Sequence, residues 1–247
     1  MKTLTFDTSS SITGWSVIED DKLVDYGVIQ PLEKMSIAQR LYSFGNEIEK
    51  VLNKTKPDDV AMEEVVQVQG VSTMRVLARF NGVALYKSYN YQKRDIDLYE
   101  PALWKSNMGL KGNACKTLIQ LAVCKKFNLL SEERINMYYE MYDKVEQEQD
   151  LIKSKISNIK KDIQKLKLQM KRKTIKQEDK DIAKNHIDNY SEDLKMFEKE
   201  EKIIKKRIKK KIDQISIDIY SDSGIDDNIA DAIGINVAFN AKLKNKK

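Results

Sequence analysis

Five carboxylates carry the chemistry that this sequence could perform. Asp7 ends the alternating run Thr3-Leu4-Thr5-Phe6, and Glu63 ends the short apolar run Val60-Ala61-Met62. Asp226, Asp227 and Asp231 open an apolar-periodic stretch near the C-terminus. Asp227 and Asp231 are four apart and share one face of a helix, where like charges repel unless a cation offsets them. Hard oxygen ligands of this kind suit Mg²⁺, which takes one or two carboxylates and keeps waters or phosphate oxygens as its remaining ligands. Two such ions about 4 Å apart can activate a water and stabilise the leaving oxygen of a phosphodiester. Asp7, Glu63, Asp227 and Asp231 are therefore the candidate catalytic and metal-binding residues, with Glu64 and Asp226 as additional acids. The competing structural reading has Asp226 and Asp227 serving a helix N-terminus and the other acids solvated.

Other chemistries find little support. The single histidine, His186, lies in a strongly charged helical stretch, which removes any Ser/His or Cys/His nucleophile scheme. Ser9, Ser10 and Ser11 sit in a Ser/Thr run that reads as a turn. Trp15 and Trp104 read as packing residues. Cys115 and Cys124, nine apart on one predicted helix, make neither a disulfide framework nor a metal-ligand spacing, and point to a reducing cytoplasm. The first residues meet an acid at once and do not resemble a signal peptide. No stretch reaches the roughly 18 apolar residues of a membrane span. The expectations are a cytoplasmic protein, no membrane association and no small-molecule cofactor.

Charge is unevenly placed. The net charge is +6, and residues 75–126 hold ten Lys/Arg against three Asp/Glu. Residues 131–215 carry 23 basic and 18 acidic residues. Basic stretches beside an acidic cluster fit a protein that binds a polyanion next to a cation site.

The elements that must position these residues follow from periodicity. Alternation predicts three strands, at 3–7, 14–19 and 23–30, in an antiparallel meander. Helices are predicted at 37–54 and 72–91, with a strand at 60–62 between them and another at 96–99. A short helix opens at Pro101, another covers 113–127, and a last one covers 225–243. The order indicates an α/β fold, a mixed sheet flanked by helices. Ile152, Ile156, Ile159, Ile163, Leu166 and Met170 are spaced 4, 3, 4, 3, 4, the seam of a coiled coil. Ile187, Tyr190, Leu194, Phe197, Ile204 and Ile208 form a second seam, and the polar run 171–180 separates the two. An antiparallel helical hairpin over about 132–214 results, with one continuous intermolecular coiled coil as the alternative. Residues 215–220 alternate briefly, and 221–224 read as a loop. The predicted domains are 1–130 with 216–247, interrupted by a hairpin at 131–215.

Four segments, in order, resemble the RuvC-type Holliday-junction resolvases, bacteriophage type, of the RNase H-like superfamily. They are Phe6-Asp7-Thr8 through Thr13-Gly14-Trp15; Ala61-Met62-Glu63-Glu64-Val65; the stretch 99–116, Tyr-Glu-Pro-Ala-Leu-Trp-Lys through Ala-Cys-Lys; and Asp227-Asn228-Ile229-Ala230-Asp231-Ala232. The resemblance implies a five-stranded RNase H-like sheet and a structure-selective endonuclease that uses two Mg²⁺ ions, or Mn²⁺, to cut branched DNA. It places Lys105 and Lys116 at phosphate contacts; Lys111, Arg75 and Arg79 join them as candidate DNA-binding residues. It also implies a homodimer through the second helix, since a two-fold axis supplies two equivalent sites for a four-way junction. Two positions depart from the pattern. Family members often space the last two acids three apart, which puts Asn228 opposite Asp231. Bacterial members carry an aromatic soon after the second acid, whereas Val65, Val66, Gln67 and Val68 follow here.

Two other classes compete. Asp7-Thr8-Ser9 after a strand also opens actin- and sugar-kinase-like nucleotide-binding folds, but those need further Gly-rich loops and this chain has nine glycines and no Gly pair. A non-catalytic DNA-binding scaffold on a degenerate nuclease fold would not need an acid at or beside every expected position.

Overall fold

The computed structural model describes residues 1–31, 34–66, 70–170 and 177–245. Most of the predicted break at 171–180, and Gln67 and Val68 after the second acid, lie outside the described residues. The chain divides into two compact units, Met1–Ile135 with Ser216–Lys247, and Asn136–Ile215.

In the first unit, β1 (Lys2–Asp7), β2 (Thr13–Glu19), β3 (Lys22–Ile29), β4 (Asp59–Glu63) and β5 (Asp97–Tyr99) form one sheet in the order β3-β2-β1-β4-β5. β1, β2 and β3 are antiparallel neighbours, while β4 and β5 run parallel to β1. This is the mixed five-stranded sheet that the resemblance implied. Side chains alternate between the two faces of a strand, and the two faces differ in chemistry. Leu4, Phe6, Val60 and Met62 meet α1 (Ile37–Thr55) and α2 (Val71–Gln92) through Phe44, Ile48, Leu52, Phe80 and Ala84, all fully or almost fully buried. Truncating one of these phenylalanines to alanine costs about 3–5 kcal/mol in comparable cores.

The opposite face of β1 and β2 carries Thr3, Thr5 and Ser16, all buried, beneath α7 (Asp227–Asn245). Hydrogen bonds satisfy them there. The Thr5 and Ser16 hydroxyls both donate to the Ala232 carbonyl, at 2.7 and 3.1 Å, and the Asn236 amide donates to the carbonyls of Thr3 and Ser16 at 3.1 and 2.9 Å. A buried amide so bound fixes its helix, because any shift leaves polar groups unsatisfied at roughly 1–3 kcal/mol each. Close approach also needs Gly14: a Cβ there would stand 2.0 Å from the Asn228 carbonyl oxygen.

α3 (Pro101–Asn107) and α4 (Lys116–Lys126) complete this unit with the ends of the two long helices, α5 (Glu132–Met170) and α6 (Gln177–Ser223). The brief alternation at 215–220 is not a strand, and the loop predicted at 221–224 is largely helix. α6 continues through it, so Ile215 and Ile219, four apart, are buried while Ile217 is exposed. Ile-X-Ile-X-Ile fits either period over so short a run.

In the second unit α5 and α6 run antiparallel: Glu148 pairs with Arg207 and Lys211, Lys155 lies over the Phe197 ring, and Lys160 pairs with Glu198. Ile152, Ile156 and Ile163 of the first seam are buried, as is Ile208 of the second. No described helix is long and apolar enough to cross a membrane.

Candidate active site

Parallel pairing brings two acids together. Phe6 stands opposite Met62 in the β1–β4 register, so Asp7 and Glu63, the next residues, leave the sheet side by side at the carboxyl ends of their strands. Both lie on the alternation that faces α7. The two carboxyl groups lie near enough for the charge of Glu63 to act on Asp7. Burial, then the charges of Glu63 and Asp231, push Asp7 well above the usual carboxylate range. Asp231 comes from the second turn of α7, next to the clamped Ala232 carbonyl. Burial first, and Glu63 second, push its pKa up to about 7, against the opposing pull of Lys116 and Lys105. Three carboxyl groups from β1, β4 and α7 thus feel one another.

Asp227 occupies the first turn of α7 and is paired with the Lys116 ammonium, while its other oxygen accepts from the Asn228 amide at 3.1 Å. Burial lowers the Lys116 pKa, but the Asp227 hydrogen bond and the charges of Asp227, Asp231 and Asp7 outweigh it and leave the lysine above its ordinary value. Lys116 is therefore a protonated counter-ion to the cluster. Lys105 donates to the Ala114 carbonyl at 3.5 Å and lies 5.3 Å above the Trp104 ring. Lys111 is exposed in the α3–α4 connection, and Arg75 and Arg79, four apart, are exposed on α2.

The two additional acids have structural tasks. Asp226 caps α7, its carboxylate accepting from the Ile229 amide at 2.7 Å. Glu64 turns back to accept from the Val65 amide at 3.0 Å.

Two further residues matter that sequence reasoning passed over. The Trp104 indole N–H donates to Glu63 Oε1 at 3.0 Å, and the ring is buried. The ring fits against α7 because residue 234 is glycine; a Cβ there would stand 2.5 Å from Trp104 Cζ3. Asn81 of α2, also buried, donates its side-chain amide to the Glu63 carbonyl at 3.1 Å and to the Thr8 hydroxyl at 2.9 Å. It ties together the ends of the two strands that carry Asp7 and Glu63. A Trp in a short helix carries no sequence mark of such a bond, because its partner is 41 residues away.

Does this set fit a divalent cation? Asp231 Oδ1 is buried and, among the described residues, has no hydrogen-bond partner. An ionised carboxylate oxygen in that state is costly unless a cation approaches it. Every donor is a hard oxygen, as Mg²⁺ requires. Among the described residues no three acidic, histidine or cysteine side chains stand close enough to enclose an ion by themselves. An ion held here would therefore need water or phosphate oxygens to complete its shell, and Asp227 is held by Lys116. The residues fit the ion.

Comparison with known proteins adds the following. The family model of the crossover junction endodeoxyribonuclease RuvC matches residues 3–138. The RuvC enzyme of Fusobacterium nucleatum is 32% identical over 138 residues, covering 53% of this chain and 70% of that one. That of Alkaliphilus oremlandii is 30% identical over 130 residues, 51% and 79% of the two chains. Among solved structures, Thermus thermophilus RuvC has a TM-score of 0.45 at 18% identity, over 52% of this chain and 81% of that one. The same protein in complex with a Holliday junction substrate gives 0.46 at 18% identity, over 52% and 79%. The matched family segment contains Asp7, Glu63, Trp104, Lys105 and Lys116. Asp227 and Asp231 lie beyond it, and the fold brings them to the same place.

Proposed function

The chain belongs to the RuvC family of crossover junction endodeoxyribonucleases, and from that premise we propose that it resolves four-way DNA junctions by metal-assisted phosphodiester hydrolysis at Asp7, Glu63, Asp227 and Asp231. Membership sets aside the nucleotide-binding kinase alternative, and the acids at Asp7, Glu63, Asp227 and Asp231 speak against the inert scaffold. Divalent-metal dependence goes with the family; two Mg²⁺ ions, with Mn²⁺ as a substitute, are our reading of the donor set.

The observation that carries this proposal is the convergence of Asp7 and Glu63, side by side at the ends of β1 and β4, with Asp231 of α7, whose Oδ1 is buried and unsatisfied. Carboxylates are brought that close, at a cost in stability, where a function needs them. Asp7, Glu63 and Asp231 would hold the ions, and Asp227 would join them on leaving Lys116. When bound, the ions neutralise the phosphodiester and lower the pKa of a coordinated water.

The chain's own groups do the rest. Trp104 holds Glu63 Oε1 and so fixes the orientation of that carboxylate. Asn81 keeps the two strand ends in register. Lys116, exposed at the rim and fully protonated, draws the scissile phosphate toward the acids, and Lys105 adds a second charge. Lys111, Arg75 and Arg79 extend the basic surface for the flanking backbone. We further propose a homodimer through α2, whose Val71, Met74, Tyr86 and Tyr89 are exposed. The nuclease domain comprises 1–130 with 216–247, interrupted by the hairpin, and acts in the cytoplasm.

Cleavage of a synthetic four-way junction with Mg²⁺, with Mn²⁺ and with EDTA tests the proposal. Paired symmetric nicks in either metal and none in EDTA support it; metal-independent cleavage, or none of any branched substrate, refutes it.

A further inference from the structure

The charge on α6 is segregated along its length. Residues 177–193 carry six Asp/Glu and two Lys, whereas 195–211 carry nine Lys/Arg and three Glu. Within the basic half, the residues that reach acids lie to the sides. Lys205 pairs with Glu201, and Arg207 and Lys211 pair with Glu148 of α5. Lys195, Lys199, Lys202, Lys206 and Lys209 are different. Their spacing of 4, 3, 4, 3 keeps them on one stripe, and at 100° per residue that stripe lies opposite the face of Leu194, Phe197, Ile204 and Ile208 that turns toward α5. All five are exposed, and among the described residues none makes an ion pair.

An ordinary solvated face looks otherwise, and α5 supplies the contrast. There Lys153 and Lys165 each have an acid three residues before them, Asp150 and Asp162, within ion-pair distance. Like charges at three- and four-residue spacing repel and weaken a helix. Five in a row, with only Glu192, Glu198 and Asp213 at those spacings and none of them paired with the stripe, are relieved by a polyanion laid along them. From Lys195 to Lys209 the helix rises 14 steps, about 21 Å at 1.5 Å each. Duplex DNA presents about one phosphate charge per 1.7 Å of axis, or about a dozen over that length.

We propose that this stripe is a second DNA-binding surface, which lies along the phosphate backbone of a duplex arm. It rests on the nuclease reading for its substrate, but it uses residues beyond 138, where the family match ends. Lysine is suited to the task as a point charge on a flexible stem, so binding by the stripe is independent of sequence and sensitive to salt.

The test uses the full chain with all five lysines changed to Gln. Binding is measured in Ca²⁺ at several salt concentrations, on junctions with arms of about 30 bp and of about 8 bp. Each lost phosphate contact removes about 0.9 from the slope of log K against log salt, so the slope on long arms falls by about 4.5. The variant's affinity then changes about 500-fold less than the wild type's between 50 and 200 mM salt. On short arms the two proteins bind alike, and the variant still cuts them in Mg²⁺, which shows that it is folded. The matching Lys→Arg variant keeps the wild-type slope. An unchanged slope on long arms overturns the proposal and leaves the stripe to an acidic protein partner. Loss of cutting of every junction by the wild type itself instead overturns the nuclease reading, so the two failures are separable.

Discussion

Replacing Asp231 with Asn should make the metal-free protein more stable, increasingly so as pH rises. Asp231 moves from the ordinary 3.8 to about 7 in the folded chain, so the folded state binds its proton more tightly than the unfolded state. Its contribution is fully favourable below about pH 4 and is lost as pH rises toward 7. Three units correspond to about 4 kcal/mol in all, of which about 3 kcal/mol falls between pH 5 and pH 8. Asp7 is raised in the same direction, so the wild type loses at least this much over the window. An amide of the same shape carries no charge to desolvate. In EDTA, Asp231→Asn should therefore gain about 3 kcal/mol on the wild type between pH 5 and pH 8, moving the urea midpoint by about 1–2 M more at the higher pH. Tryptophan fluorescence is the right probe, since Trp15 and Trp104 both belong to the unit that holds the site. Saturating Mg²⁺ should stabilise the wild type at pH 8 and leave the variant unchanged. Equal gaps between wild type and variant at both pH values would refute the reasoning, because they would mean that Asp231 is not held at raised pKa by its neighbours.

Further outcomes follow from other contacts. Trp104→Phe keeps an aromatic, though smaller, side chain and deletes the N–H that holds Glu63; metal affinity should fall 10- to 100-fold, read by calorimetry, with junction binding unchanged. Lys116→Ala removes the cation that holds Asp7 and Asp231 down, so the acid limb of the cleavage pH profile should move to higher pH and the maximal rate should fall. Gly14→Ala drives a methyl into the Asn228 carbonyl; thermal unfolding should show a loss of roughly 1–3 kcal/mol, and cleavage should fall as the α7 acids shift.

Much of the site could be read from the chain itself because its parts are local. Asp7 and Glu63 were legible as acids at the ends of short strands, and the strand order then made them neighbours. Asp231 was marked by its four-residue spacing from Asp227, and Gly14 by the resemblance. The remainder is non-local. The Lys116–Asp227 pair joins residues 111 apart, and it turns a residue expected on phosphate into a counter-ion for one expected on metal. Trp104 was legible only as a buried ring, since its use depends on where Glu63 and Gly234 come to rest. Asp226 was ambiguous between ligand and cap, and helix geometry made it a cap. The Ile-rich run before the last helix failed for the opposite reason: three alternating residues fit a strand, but the long helix before them continues through.

The account stands on the gathering of Asp7, Glu63 and Asp231 into one metal-dependent centre. Asp7→Asn tested beside the wild type on a radiolabelled four-way junction in Mg²⁺ addresses it most directly. The account predicts that the variant binds the junction as tightly as the wild type, or more tightly, while cleavage falls by at least about 1000-fold, or about 4 kcal/mol of barrier. Cleavage within a few-fold of the wild type would contradict it.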